Sequence, residues 1–353
     1  MRLFMRLICY GGPMYYLTAN MNRFFRAFRP LGLQRRYKLK KRSVHRILPI
    51  ENKEFPKTHH DKGLQAKEKY NFIKNNGYIV LPGAVSPGLC DKISNYYDSV
   101  LANGSLQVKP KCEFFDKEGK YSYGEEIGDR DPSQLIGLKM LDLYSHNIDA
   151  REAMFSPDIQ EVLSLIFGAN ALAFQQLGII YGTEQDLHQD TAYVRVSEPF
   201  LIAASWIALE DITPGSGELE LIPGSHNLKD NFFNSSGDEW CKKVESNPSK
   251  SAWWNYKDKD IHDKFIGRLR SLKAQQEPFV FNAKKGDCLI WISHLVHGGS
   301  PISSRTGSGI PTRKSLVTHY CPFPQAHPIY FHQINNSGPI EYSDNSLYSY
   351  KYL

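Results

Sequence analysis

The stretch Asp186–Val196, DLHQDTAYVRV, sets a histidine and an aspartate two residues apart in what reads as a β-strand. Side chains at i and i+2 of a strand point to one face. His188 and Asp190 would then present an imidazole and a carboxylate side by side. Spacing alone does not make a metal site. With twelve histidines in the chain, roughly one chance His-x-Asp is expected. His59 and Asp61 in KTHHDKG supply such a copy, ahead of the helical pattern GLQAKEKYNFIKNNG and with no strand beneath it, so they read as solvated surface. The residues around His188 must carry the case.

Those residues have the rhythm of a β-domain. ALAFQQLGIIYG, LHQDTAYVRV, FLIAASWIAL, GELELIPGSH, PFVFNA, GDCLIWIS and KSLVTHYC are short apolar or alternating runs separated by Gly, Pro and Asp. Many short strands with turn signals between them indicate a sandwich or barrel. Before them come a helix, a short strand at Tyr78–Leu81 and a second helix opened by Ser86 as N-cap and Pro87 in the first turn. PDIQEVLSLIFGAN reads as a further helix, with Pro157 near its start and Gly168 as its stop. Residues 227–277 break the β rhythm and read as a helical insertion, whose Trp240, Trp253, Trp254 and Tyr256 would form either a lid or the insertion's own core.

A third metal ligand has a candidate about a hundred residues on. In KKGDCLIWISHLVHGGSP, His297 follows a strand over Cys288–Ile292 and precedes two glycines that would permit another group's close approach. His294 is its rival, and a lone histidine is more often a hydrogen-bonded structural residue. Two imidazoles and a carboxylate form the facial set that holds Fe(II) with positions left open. Zinc also accepts such ligands but would want a general base and polarising groups nearby, and none stands out. In PTRKSLVTHY, Arg313 sits among apolar strand residues, where a guanidinium needs an anion. That anion is either an internal carboxylate or the far carboxylate of 2-oxoglutarate, whose 2-oxo acid end would chelate iron.

Taken together, HQDTAYVRV, SWIALEDITPGSGELELIPGSH, GDCLIWISHLVHGGSP and RKSLVTHY resemble the phytanoyl-CoA dioxygenase family of Fe(II)/2-oxoglutarate oxygenases, over roughly residues 66–330. The resemblance implies a double-stranded β-helix, a distorted jelly roll with flanking helices. It places the iron ligands on His188, Asp190 and His297 and the co-substrate arginine on Arg313. It also implies that Gln189 touches 2-oxoglutarate and that Trp206 walls the same pocket. His226, in PGSH, is read as structural. Relatives place the arginine about ten or eleven residues after the second histidine, whereas here the gap is sixteen. The surplus sits in SSRTGSGIPT, which also holds Arg305, the rival for the role. The implied reaction uses Fe(II), 2-oxoglutarate and O2 to hydroxylate a small organic metabolite. A halogenase would lack Asp190, and a binding module with the same fold would have lost turnover.

The 353 residues allow one large or two ordinary domains, and 41% hydrophobic with 23% charged content is that of a globular chain. The net charge of +6 misleads. Residues 1–46 contain twelve Lys and Arg and no acid, so the remainder has 31 basic and 37 acidic residues. The basicity therefore belongs to an N-terminal extension, taken as residues 1–55, with the oxygenase domain over 56–353. NRFFRAFRP and RRYKLKKR would suit peripheral contact with an anionic membrane surface, and no nucleic-acid partner is expected. Six scattered cysteines without a C-x-x-C pair, and no apolar run near the ~20 residues of a membrane span, make a cytoplasmic location the expectation.

Overall fold

The computed structural model describes residues 60–102, 110–145, 147–194, 196, 201–228, 259–304, 311–323 and 325–326. The basic extension, residues 229–258 of the expected insertion with its three tryptophans, and Arg305 lie outside these. No helix of the described residues is long and apolar enough to cross a membrane.

Helix α1 (His60–Asn76) leads into strand β1 (Tyr78–Leu81) and helix α2 (Pro87–Leu101). Ser86 caps α2 as the sequence implied, its side chain accepting from the Leu89 amide. Strands β2 (Cys112–Phe115), β3 (Tyr121–Glu125) and β4 (Ile136–Leu141) follow, then helices α3 (Ile148–Ala153) and α4 (Pro157–Phe167). Proline opens α4 and Gly168 closes it at φ 62°, a left-handed position that a residue with a Cβ adopts only at a cost. The buried face of α4 is Ile159, Val162, Leu163, Ile166 and Phe167, the spacing of one helical stripe. Each such side chain contributes roughly 1.5–3 kcal/mol when fully buried.

The remaining strands are β5 (Asn170–Tyr181), β6 (Ala203–Ala208), β7 (Leu219–Leu221), β8 (Phe279–Phe281), β9 (Cys288–Ile292), β10 (His297–Gly299) and β11 (Thr312–Phe323), with helix α5 (Lys259–Gln275) between β7 and β8. They form an eight-stranded sheet in the order β1-β9-β6-β11-β5-β4-β2-β3 and a three-stranded sheet in the order β10-β7-β8. All pairings are antiparallel. Residues of both sheets share one core, in which Phe281 of the small sheet meets the Trp206 ring of the large one edge-on at 5.7 Å. This is a mainly β architecture with flanking helices, built on a double-stranded β-helix core.

One expected strand is absent. LHQDTAYVRV bridges His188 to His297, turns into a short 3-10 helix at Asp190–Ala192 and makes a further bridge at Val196. The reason is local. The edge strand β10 is only three residues long, and the Asp190 carbonyl accepts from the amides of Tyr193 and Val194, which folds the chain back before a second ladder step can form. His297 follows β9 as expected and opens β10 in the small sheet.

Candidate metal and co-substrate site

His188, Asp190 and His297 are all buried, and each offers one ligand atom within 4.8 Å of the others. They meet although no regular strand carries the first two. Gln189 between them is extended, at φ −124° and ψ 128°, which puts its two neighbours on one side. The bridge sets His188 against His297 through paired backbone bonds of 2.8 and 3.0 Å, leaving the imidazole centroids 4.3 Å apart. The glycines after His297 make this contact feasible. A Cβ on Gly298 would stand 2.9 Å from the Gln185 carbonyl oxygen and 3.1 Å from the Leu187 amide nitrogen, closer than packed atoms sit. The group that the two glycines admit is thus the chain's own segment leading into His188.

The tautomers are set for ligation. Nδ1 of His188 lies 2.8 Å from the Asp186 carbonyl and Nδ1 of His297 lies 2.9 Å from the Leu295 carbonyl. Each Nδ1–H donates to its carbonyl, which leaves Nε2 of His188 to accept from the Gln185 amide at 3.3 Å and Nε2 of His297 to face Asp190. Oδ1 of Asp190 is 3.7 Å from Nε2 of His188 and 3.4 Å from Nε2 of His297. Its Oδ2 instead accepts from the Trp291 indole at 2.8 Å.

The electrostatics agree. Burial and the neighbouring His297 push the His188 imidazole down to about 3, so it is neutral at ordinary pH. Burial opposes ionisation of Asp190, yet the His297 and His319 imidazoles outweigh it and hold the carboxyl well below its usual range. Burial likewise pulls His297 down, but the Asp190 charge wins and raises it. A neutral imidazole, an anionic carboxylate and an imidazole drawn toward that carboxylate form a donor set that fits a divalent cation.

Arg313 is buried in β11 at 2% exposure. Its Nη1 donates to the Gly217 carbonyl, its guanidinium lies 5.7 Å over the Trp206 ring, and Nε has no partner among the described residues. Nor does any carboxylate of the described residues form an ion pair with it: Glu218 acts only through space and spends Oε1 on the Gly215 amide. Among the described residues, then, no ion pair accounts for this buried arginine. The backbone ties this residue to the metal cluster, since Gly217 precedes β7 and Leu221 at the far end of β7 pairs with His297.

Gln189 is engaged elsewhere. Its Nε2 donates to the His294 carbonyl at 2.6 Å, which fastens the Asp190 turn to the loop after β9. His294 stands outside the cluster, edge-on to His226, and His226 lies 3.0 Å from the Lys74 carbonyl. Two residues were missed in the sequence, Trp291 and His319. Each sits inside an apolar strand, WIS or VTHY, where nothing in the pattern separates a core aromatic from one that meets a ligand.

Comparison with known proteins follows the same lines. The chain is 27% identical over 188 residues to "Phytanoyl-CoA dioxygenase domain-containing protein 1" of Danio rerio, a match covering 44% of this chain and 63% of that protein. It is 22% identical over 173 residues to the peroxisomal phytanoyl-CoA dioxygenase of Homo sapiens, covering 47% and 49%. The matched region thus spans between about half and two thirds of these relatives' length. Among solved structures, the epimerase SnoN in complex with Fe3+, alpha ketoglutarate and nogalamycin RO superposes with a TM-score of 0.54 at 15% identity, over 79% of this chain and 94% of that one; this shows the shared fold. A His-Asp-His cluster on that fold fits dependence on Fe(II), 2-oxoglutarate and O2. The family pattern described as Phytanoyl-CoA dioxygenase (PhyH) runs through residues 73–307, and with well over half of its length matched, the chain belongs to the phytanoyl-CoA dioxygenase family.

Proposed function

We propose that the protein is an Fe(II)- and 2-oxoglutarate-dependent dioxygenase that hydroxylates a small organic metabolite. The observation that carries this reading is the conjunction of two buried features: the His188–Asp190–His297 cluster and an arginine that forms no ion pair among the described residues. In this reading His188, Asp190 and His297 hold Fe(II). Arg313 pairs with the far carboxylate of 2-oxoglutarate, and Trp206 walls the pocket beneath the guanidinium. When bound, iron and 2-oxoglutarate supply the activation of O2. The chain's own part is to keep the His188 imidazole neutral, to fix the carboxylate and to exclude water from a site lined by buried residues. Asp190 argues against halogenation, which needs that position vacated for halide.

The test is anaerobic loading of the full chain with Fe(II), followed by 18O2, 2-oxoglutarate and a panel of candidate metabolites, read by mass spectrometry. Succinate formation that depends on iron, with one 18O atom entering the product, is the expected result. Product without 18O would point to another oxidative outcome, such as the epimerisation for which SnoN is named. If iron-loaded protein binds no 2-oxoglutarate and forms no succinate, the fold serves binding and the enzymatic reading is wrong.

A further inference from the structure

The carboxylate of Asp190 has two oxygens, and the structure treats them differently. Oδ1 faces the two ligand imidazoles. Oδ2 receives the Trp291 indole at 2.8 Å and lies 3.5 Å from Nε2 of His319. His319 is 5% exposed, and neither of its ring nitrogens makes a hydrogen bond among the described residues. An imidazole buried in a β-core with both nitrogens unsatisfied needs a reason.

The sheet supplies one. Strands β9, β6 and β11 are neighbours, and Ala204 of β6 is the cross-strand partner of both Trp291 and His319. Residues paired across antiparallel strands share a face. Trp291, Ala204 and His319 therefore form one row, with large N–H-bearing rings at the ends and a methyl group in the middle. Neighbouring strands are about 4.8 Å apart, so the outer residues stand roughly 10 Å apart at the backbone, and the small central side chain leaves a gap between them. Both outer rings reach the same carboxylate oxygen.

We propose that Trp291 and His319 are positioning residues that clamp Oδ2 of Asp190 from opposite sides, so that Asp190 meets the metal through Oδ1 alone. An oxygen that accepts the Trp291 N–H and has the His319 Nε2 3.5 Å away is a poor second ligand, and a carboxylate so held cannot rotate to chelate. The coordination position that a second carboxylate oxygen would occupy is thereby kept open. Ala204 is part of the device, since a branched side chain there would fill the gap. The inference rests on metal binding at His188, Asp190 and His297 as read above, and adds how one of those ligands is oriented.

The experiment uses full-length protein, metal-free and then titrated with Co(II), with affinity and the visible ligand-field spectrum as readouts. Trp291→Phe and His319→Phe each keep an aromatic ring and lose the N–H donor. Each is expected to weaken Co(II) binding by about 10–100-fold. Each should also lower the intensity of the ligand-field bands, because bidentate Asp190 raises the coordination number. His319→Gln retains an N–H donor and should stay within about threefold of the parent with an unchanged spectrum. Ala204→Val reaches the same row from the middle strand and should reproduce the spectral change without touching either donor. Denaturant unfolding of the metal-free variants identifies any that do not fold, and the clamp is then judged on the others. Wild-type affinity and spectrum in both Phe variants would overturn the proposal, as would equal damage from His319→Gln and His319→Phe, which would mean that His319 acts by packing. Failure of the unsubstituted protein to bind Co(II) would instead overturn the metal site itself.

Discussion

Replacing Arg313 by methionine should strengthen the ligand-free protein while abolishing its affinity for 2-oxoglutarate. Burial pulls the guanidinium down to about 10, well below its ordinary range, with the Glu218 charge only partly opposing this. The unfolded chain thus binds this proton more tightly than the folded one. At neutral pH the cation costs the fold about 3 kcal/mol, a cost that fades only as the pH rises above about 10. Against this stand one hydrogen bond to the Gly217 carbonyl, about 1 kcal/mol, and the stacking over Trp206, about 0.5–1 kcal/mol. Methionine keeps the apolar stem, so the net change is about +1 kcal/mol of stability, or roughly 2–4 °C in Tm. Losing the partner of a buried carboxylate should cost about 2–5 kcal/mol of co-substrate binding, roughly thirty-fold to several thousand-fold in Kd. Thermal unfolding of the Mn(II)-loaded proteins with and without 2-oxoglutarate reads both effects. At about 100 times Kd the co-substrate adds about 2.7 kcal/mol to the parent protein, and at that concentration it should add far less to Arg313→Met. Arg313→Lys should fall between, lacking the two-pronged donor. A large loss of ligand-free stability in Arg313→Met, together with an undiminished response to 2-oxoglutarate, would refute the reasoning and make the arginine a structural brace.

His188→Ala, Asp190→Ala and His297→Ala should each abolish Fe(II) binding in anaerobic equilibrium dialysis, whereas His294→Ala should lower Tm and keep the metal. Gly298→Ala should push residues 185–187 away from β10, costing about 1–3 kcal/mol in urea unfolding and at least tenfold in metal affinity, because His188 moves with that segment. Burial holds His226 below its ordinary 6.5, with the Lys74 carbonyl only partly opposing this. Its unfolded form therefore takes up the proton first, and stability should fall as the pH drops below about 6.5. His226→Gln, which can still donate to the Lys74 carbonyl, should flatten that part of the pH profile in denaturant titrations.

Much of this protein is written locally. Short apolar or alternating runs bounded by turn residues located β5, β6, β7, β8, β9 and β11, because length, apolarity and turn chemistry are properties of a few neighbouring residues. Ser86, Pro87, Pro157 and Gly168 marked helix ends because caps satisfy backbone groups within a few residues. The residue types of the metal cluster and the two glycines after His297 were legible for the same reason: ligand chemistry and the missing Cβ are properties of single residues. The strand expected at His188 failed because a ladder needs a partner of matching length, and β10 ends after three residues. Tertiary structure alone decided that Arg313 pairs with no carboxylate among the described residues, that Gln189 binds the His294 carbonyl, and that Trp291 and His319 meet at one oxygen of Asp190. Each of these depends on which strands lie side by side. Trp291 and His319 are 28 residues apart in the chain and become neighbours only because β9, β6 and β11 assemble in that order, with long-range register fixed by the burial of whole faces rather than by any short stretch of sequence.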